Sequence, residues 1–226
     1  MTEAGFQQHG TALEQGRYLR VVNYHNTPAS MAGELRAELT AYADSFASVT
    51  LADLDAFYAT GEWPLDRPAF VPVFYEGYLN TATVAAPICD ELGITAWFPV
   101  ITRFIDCPVP QQRAFADAHH ITLVEEERAA ERLAMTWDQV AQLAERHVVT
   151  PHTGSHEEIA KVVTAEDYER EIFAPRRAVE RVTGREAPAF VWLYGSPYGT
   201  SPDHDRAVRD AGYRYQISNT MIQRIA

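Results

Sequence analysis

The chain has 226 residues, 46% of them hydrophobic and 22% charged, and its 31 acidic against 19 basic side chains give a formal net charge of −12. That length can bury a substantial core and that mixture is globular, while the lack of any Lys/Arg cluster excludes a broad phosphate-binding surface and therefore a nucleic-acid partner. The opening MTEAGFQQHG has neither a basic nor an apolar leader region, and no later run approaches the roughly 20 apolar residues of a membrane span, so a cytoplasmic protein with no membrane partner is expected.

Strand and helix signals alternate along the whole chain. The first strand is YLRVVNY at 18–24, followed by helices over 29–46 and 51–60. PAFVPVFY at 68–75 is an apolar run suited to a buried strand, and 81–92 has amphipathic helical spacing closed by Gly93. A strand at 94–101 precedes helices at 111–119 and 136–147, with a charged connection at 125–132 that can itself be helical. HVVTPHT at 147–153 is the next strand. It is followed by a helix at 165–182, a strand at 189–194, a helix at 202–211 and a strand at 213–218. There is no internal repeat and no Pro/Gly-rich linker, which predicts a single domain over 1–226. The alternation predicts an α/β protein with a parallel sheet, open or closed into a barrel, whose site collects at the C-terminal ends of the strands.

That rule singles out His25, Tyr75 and Glu76, His152 and His156, and Tyr194, all at strand ends on one rim. His152 and His156 stand four apart in TPHTGSHEE, which puts both rings on one face if residues 154–158 begin a helical turn. Neutral imidazole suits zinc and similar metals, although surface histidines also fall at this spacing. A catalytic divalent site wants a carboxylate beside its histidines and an open position. Glu76, at the end of an apolar strand, is the natural carboxylate; the alternative for it is an ion pair with an Arg such as Arg103. Cys89 and Cys107 are unclustered and lack CxxC spacing, so they read as buried or half-buried thiols rather than a disulfide or a thiolate zinc site. Trp97 and Trp192 sit inside apolar strands and read as core rather than as a sugar platform.

The stretches VFYEGYLNTATVAAPICDELGITAWFPV, MTWDQVAQLAERHVVTPHTGSH and FVWLYGSPYGTSPDHDRAVRDAGYRYQIS resemble the polysaccharide deacetylase family, the NodB-homology group of carbohydrate esterases, and the similarity runs from VVNYHN to about Ser218. The resemblance implies a distorted (β/α) barrel of about seven strands. It also implies a divalent metal, zinc first, held by His152, His156 and the residue at the family's second Asp position, here Glu76. The first Asp, the family's general base, is replaced by Tyr75, whose ordinary pKa near 10 suits it poorly to accept a proton. The Pro-Tyr-Gly stretch becomes Leu193-Tyr194-Gly195, with Val191 where many members carry Arg. No late Leu-x-His segment, the source of the family's general acid, is found before Ala226.

The resulting expectation is a metal-dependent hydrolase of non-peptide C–N bonds that deacetylates an N-acetylated sugar or a related small molecule. His25 is the first candidate for the base, with Glu157 and Asp203 behind it, and Tyr75 serves as hydrogen-bond donor to the oxyanion. Tyr194 and Gly195 shape the substrate pocket. The alternatives are a catalytically silent member that keeps a metal or a pocket for binding, and a barrel turned to another reaction with Tyr75 as a new catalytic group. The partner expected is a small molecule or carbohydrate, and a homo-oligomer is compatible with the sequence.

Overall fold

The strand β3 (Ala69–Phe74), AFVPVF, is buried at every residue, as a strand must be when both of its faces are covered. In the computed structural model, which describes residues 16–225, it is the centre of the main sheet. The N-terminal decapeptide read above as leaderless, and Ala226, lie outside the described residues. Along one edge of β3 runs β1 (Leu19–Tyr24), parallel and in register from Leu19↔Ala69 to Tyr24↔Phe74. The other edge is shared by the two-residue β2 (Ala47–Ser48) and then β4 (Trp97–Val100), which takes over at Val73. β5 (Val148–Pro151) pairs with β4 in parallel. A second sheet holds β6 (Ala189–Val191) and β7 (Tyr215–Ser218) in parallel, with β8 (Met221–Arg224) folded back antiparallel on β7.

Successive strand side chains point to opposite faces, and here that period sorts residues into an inside and an outside. Val71, Val73, Trp97, Val148, Val191 and Ile217, drawn from strands all round the fold, pack into one inner cluster. Phe70, Phe74, Phe98, Val149, Phe190 and Trp192 pack outward under the helices. The result is a distorted (β/α) barrel with eight strands among the described residues. β2 and β8 add to the six strand signals in the sequence. Two residues are too few to show an alternation, and β8 follows β7 through a two-residue turn at Asn219 and Thr220. Trp97 and Trp192 are both core.

The helices are α1 (Ala32–Ser45), α2 (Leu51–Thr60), α3 (Ala86–Glu91), α4 (Thr102–Asp106), α5 (Gln112–Ala118), α6 (Glu125–Arg128), α7 (Trp137–Leu143), α8 (Ala165–Tyr168), α9 (Ala174–Thr183) and α10 (Pro202–Asp210). Among these described residues no helix is long and apolar enough to cross a membrane. The sequence spacing makes 81–92 and 165–182 continuous helices, and both are instead interrupted by a π turn, Thr81–Ala85 and Glu169–Phe173. Each π turn ends one residue before an Ala-Pro pair that opens the next helix. A proline has no N–H to give to the carbonyl four residues back, and its ring collides with that carbonyl in a regular helix. Widening the preceding turn relieves the collision, with Ala86 N–H reaching Thr81 O and Ala174 N–H reaching Glu169 O.

Candidate metal centre

The parallel register carries the strand ends to one rim. Tyr24↔Phe74 sets His25 beside Tyr75, whose rings stack at 5.3 Å and 21°. Val100↔Pro151 is followed by a bond from His152 N–H to Val100 O at 2.9 Å. Beyond Phe74 the chain turns sharply, with Glu76 at φ 70° and Gly77 at φ 83°. His156 (φ 61°) and the β-branched Thr153 (φ 55°) share this left-handed region. Such conformations in non-glycine residues cost on the order of 1–3 kcal/mol each and persist where their surroundings impose them.

Glu76, His152 and His156 are all buried, and one ligand atom from each lies within 4.8 Å of the others. Glu76 Oε1 is 3.8 Å from His156 Nε2 and 3.5 Å from His25 Nε2. His152 Nδ1 stands 3.2 Å from Val191 O and His156 Nδ1 2.7 Å from His119 O. A carbonyl can only accept, so both rings carry their proton on Nδ1 and turn an Nε2 lone pair inward, the orientation metal-binding histidines take. His156 Nε2 and Glu76 Oε2 are buried and have no hydrogen-bond partner. Two such orphans facing a third ligand are what a divalent cation would satisfy, so the donor set fits the metal.

The electrostatics agree with that geometry. Burial pushes Glu76 up to about 8 and lowers His156 to about 4. His152 is also driven well down, by burial first and His156 second. At neutral pH the metal-free centre therefore holds two neutral imidazoles and a protonated carboxyl.

The helical turn expected to align His152 and His156 is absent. Residues 153–155 form a tight turn in which His156 N–H bonds Thr153 Oγ1 at 2.8 Å, and the His152 and His156 rings meet edge to face at 4.7 Å. Thr153 and His156 both need a left-handed backbone to make that turn, which a helix cannot supply. The ion pair considered for Glu76 with Arg103 is not formed among the described residues; the backbone N–H of Arg103 holds Gly154 O at 2.9 Å.

These groups line a cleft of about 310 Å³ that His25, Tyr75, Tyr194 and Gly195 share. Tyr75 is buried and its hydroxyl donates to Asn23 Oδ1 at 3.1 Å. Tyr194 is 66% exposed at the mouth, at φ 64°. Gly195 (φ 65°) has no room for a side chain, because a Cβ would meet Asn219 Oδ1 at 2.4 Å. Glu157 and Asp203 do not line the cleft. Glu157 faces Lys161 at 3.1 Å, and Asp203 lies 76% exposed on the outer layer, 3.6 Å from Arg206. The sequence reading passed over four polar residues that the fold brings here: Asn23, His120, Thr122 and Asn219. The His119-His120 doublet was the one available signal.

The family model for polysaccharide deacetylase matches residues 66–216. No curated protein sequence matches the chain. Among solved structures, a de-N-acetylase from Aggregatibacter actinomycetemcomitans is similar at TM-score 0.67 and 18% identity, covering 92% of this chain and 91% of that one. Streptococcus pyogenes deacetylase PplD in complex with acetate is similar at TM-score 0.64 and 12% identity, over 87% of this chain and 80% of that one. BC0361, a polysaccharide deacetylase from Bacillus cereus, is similar at TM-score 0.63 and 16% identity over 91% of this chain, which spans 60% of it.

Proposed function

Since the chain belongs to the polysaccharide deacetylase family, we propose that it hydrolyses the amide bond of an N-acetylated sugar or related small molecule, using a divalent metal, zinc first, held by Glu76, His152 and His156. The observation that carries this reading is the buried convergence of one carboxylate and two inward-facing Nε2 atoms on the floor of an open cleft. When bound, such a metal lowers the pKa of water and polarises the amide carbonyl.

The residues around it divide the remaining work. His25 is partly desolvated on the cleft wall, which lowers its pKa and leaves it unprotonated near neutral pH. With Nε2 3.5 Å from Glu76, it would be the group placed to accept a proton from a water entering the cleft beside the three ligand residues, the role of the family's first Asp. Tyr75 cannot be that base, because burial first and the Glu76 charge second hold its hydroxyl far above the ordinary phenol range. It stays a donor, and by exchanging its bond to Asn23 Oδ1 it would serve the oxygen that gains charge as the carbonyl is attacked. Tyr194 and Gly195 form the rim over which the acyl-bearing molecule enters.

The test is acetate release from N-acetylglucosamine oligomers by the purified protein. Release is expected with one equivalent of zinc, is lost on chelation and returns with added metal. Stoichiometric metal with no release from any acetylated substrate would favour the silent binding protein, a reading supported by the phenol in place of a base.

Metal affinity should also depend on pH with a definite sign. A proton competes for Glu76 below its pKa of about 8, while His156, at about 4, has already lost its own. Zinc affinity is therefore expected to rise about tenfold per pH unit from roughly pH 6 to 7.5 and to level off above 8, with about one proton released per metal. Chelator competition across that range reads it, and a flat profile would contradict a protonated Glu76. In the metal-free protein the same raised pKa contributes stability that is fully present below the ordinary carboxyl pKa and is lost as pH rises through 8.

A further inference from the structure

The turn that carries His156 is fastened to the helical layer by a group outside the cleft. Glu171 is fully buried, and all the neighbours that bond its carboxyl are donors. Oε2 accepts from the Gly154 N–H at 3.0 Å and the Ser155 N–H at 2.8 Å. Oε1 accepts from Ser155 Oγ at 2.7 Å and Arg170 Nε at 2.8 Å. Two consecutive backbone N–H groups on one oxygen leave the turn little freedom to rotate, and a buried carboxylate is stable only with such a full complement of donors. The turn begins at Thr153 and ends at His156, both left-handed, so its shape must be imposed from outside.

The placement of Glu171 follows from the sequence through the π turn. Pro175 stands four residues after Glu171, so a regular helix would drive its ring into the Glu171 carbonyl. The turn over Glu169–Phe173 widens instead, and the segment packs so closely on the loop that a Cβ on Gly154 would come within 2.2 Å of Arg170 O. On the other side, Arg103 N–H holds Gly154 O. The loop is gripped from both flanks, and the carboxylate is the polar half of the grip.

We propose that Glu171 is a positioning residue for the metal centre: through the Gly154 and Ser155 N–H groups it fixes the turn that aims His156 Nε2 at Glu76. The inference rests on the metal-binding reading of Glu76, His152 and His156. It predicts that weakening the grip loosens one ligand while leaving all three ligand side chains in the chain.

Glu171→Gln tests it, since glutamine keeps the shape but replaces one of the two accepting oxygens by a donating NH₂ that must face an N–H or a hydroxyl. Ser155→Ala is the milder companion, removing one donor and no charge. Zinc affinity by chelator competition and the visible absorption of the cobalt(II)-loaded protein are read beside the thermal midpoint. Zinc is expected to bind about 10–100-fold more weakly to Glu171→Gln, as for other groups that hold a ligand in place, with a smaller loss for Ser155→Ala and a changed cobalt spectrum in both. If Glu171→Gln does not fold, the affinity and spectrum of Ser155→Ala decide. Folded variants with the parent's affinity and spectrum would overturn the positioning role. A folded parent that takes up neither zinc nor cobalt would overturn the metal reading, and this inference with it.

Discussion

Replacing Glu76 by Ala is expected to take the protein from about one bound metal equivalent to about none, and any amidase activity down by at least roughly a thousandfold. The carboxylate is the only anionic member of the three-residue set, and without it two neutral imidazoles face a dication with no charge to offset. Tyr75→Phe is the control. It removes the hydroxyl bonded to Asn23 but keeps the ring against His25 and His152, so metal content should stay near one equivalent. Elemental analysis of both variants beside the parent separates ligand from neighbour. Full metal in Glu76→Ala would remove Glu76 from the ligand set.

Gly154→Ala is expected to be strongly destabilising, because the atom its added methyl meets is backbone. Its Cβ would fall 2.2 Å from the backbone oxygen of Arg170 and 3.3 Å from Glu171 Oε2. Neither backbone can retreat without opening the Gly154 N–H bond to Glu171, so overpacking and a broken bond to a buried charge add. Together they come to about 3–5 kcal/mol, a fall in Tm of roughly 6–20 °C for a chain of this size. A thermal scan reads it directly. A midpoint within about 2 °C of the parent would mean that the loop and the π turn are not tightly packed in solution.

The elements that were legible in the sequence are those whose signals are local. α2 begins and ends where predicted because Thr50 and Asp53 make a capping box and Gly61 closes it in the left-handed conformation. β3 was readable because an all-apolar run of that length leaves few other choices. That Glu76, His152 and His156 meet was legible because each follows a strand, and the parallel register then brings strand ends together. What escaped was set by contacts across the chain. Glu171 looks like one more charge in a polar helix, and only its distance of 16 residues back to Ser155 in space reveals its use. The π turns were foreshadowed by Pro87 and Pro175, but a helical period continues through them and hides the widening. The spacing of His152 and His156 suggested a helix because a period of four is helical; a turn with two left-handed residues produces the same proximity.

The two sheets of the barrel are not joined by a backbone ladder among the described residues. Between β5 and β6 the joint is made by Thr150, whose hydroxyl exchanges hydrogen bonds with both the N–H and the carbonyl of Ala189, and by His152 on Val191 O. On the far side, Asn23 Nδ2 reaches Asn219 O. The stiffness of the rim is thus carried by side chains, and two of them, His152 and Asn23, belong to the cleft itself. A force that spreads the mouth would load the imidazole and the amide before any strand pairing. The same imidazole that bonds across the seam at Nδ1 turns its Nε2 toward Glu76 and His156, so one ring serves both the joint between the two halves of the wall and the floor of the cleft.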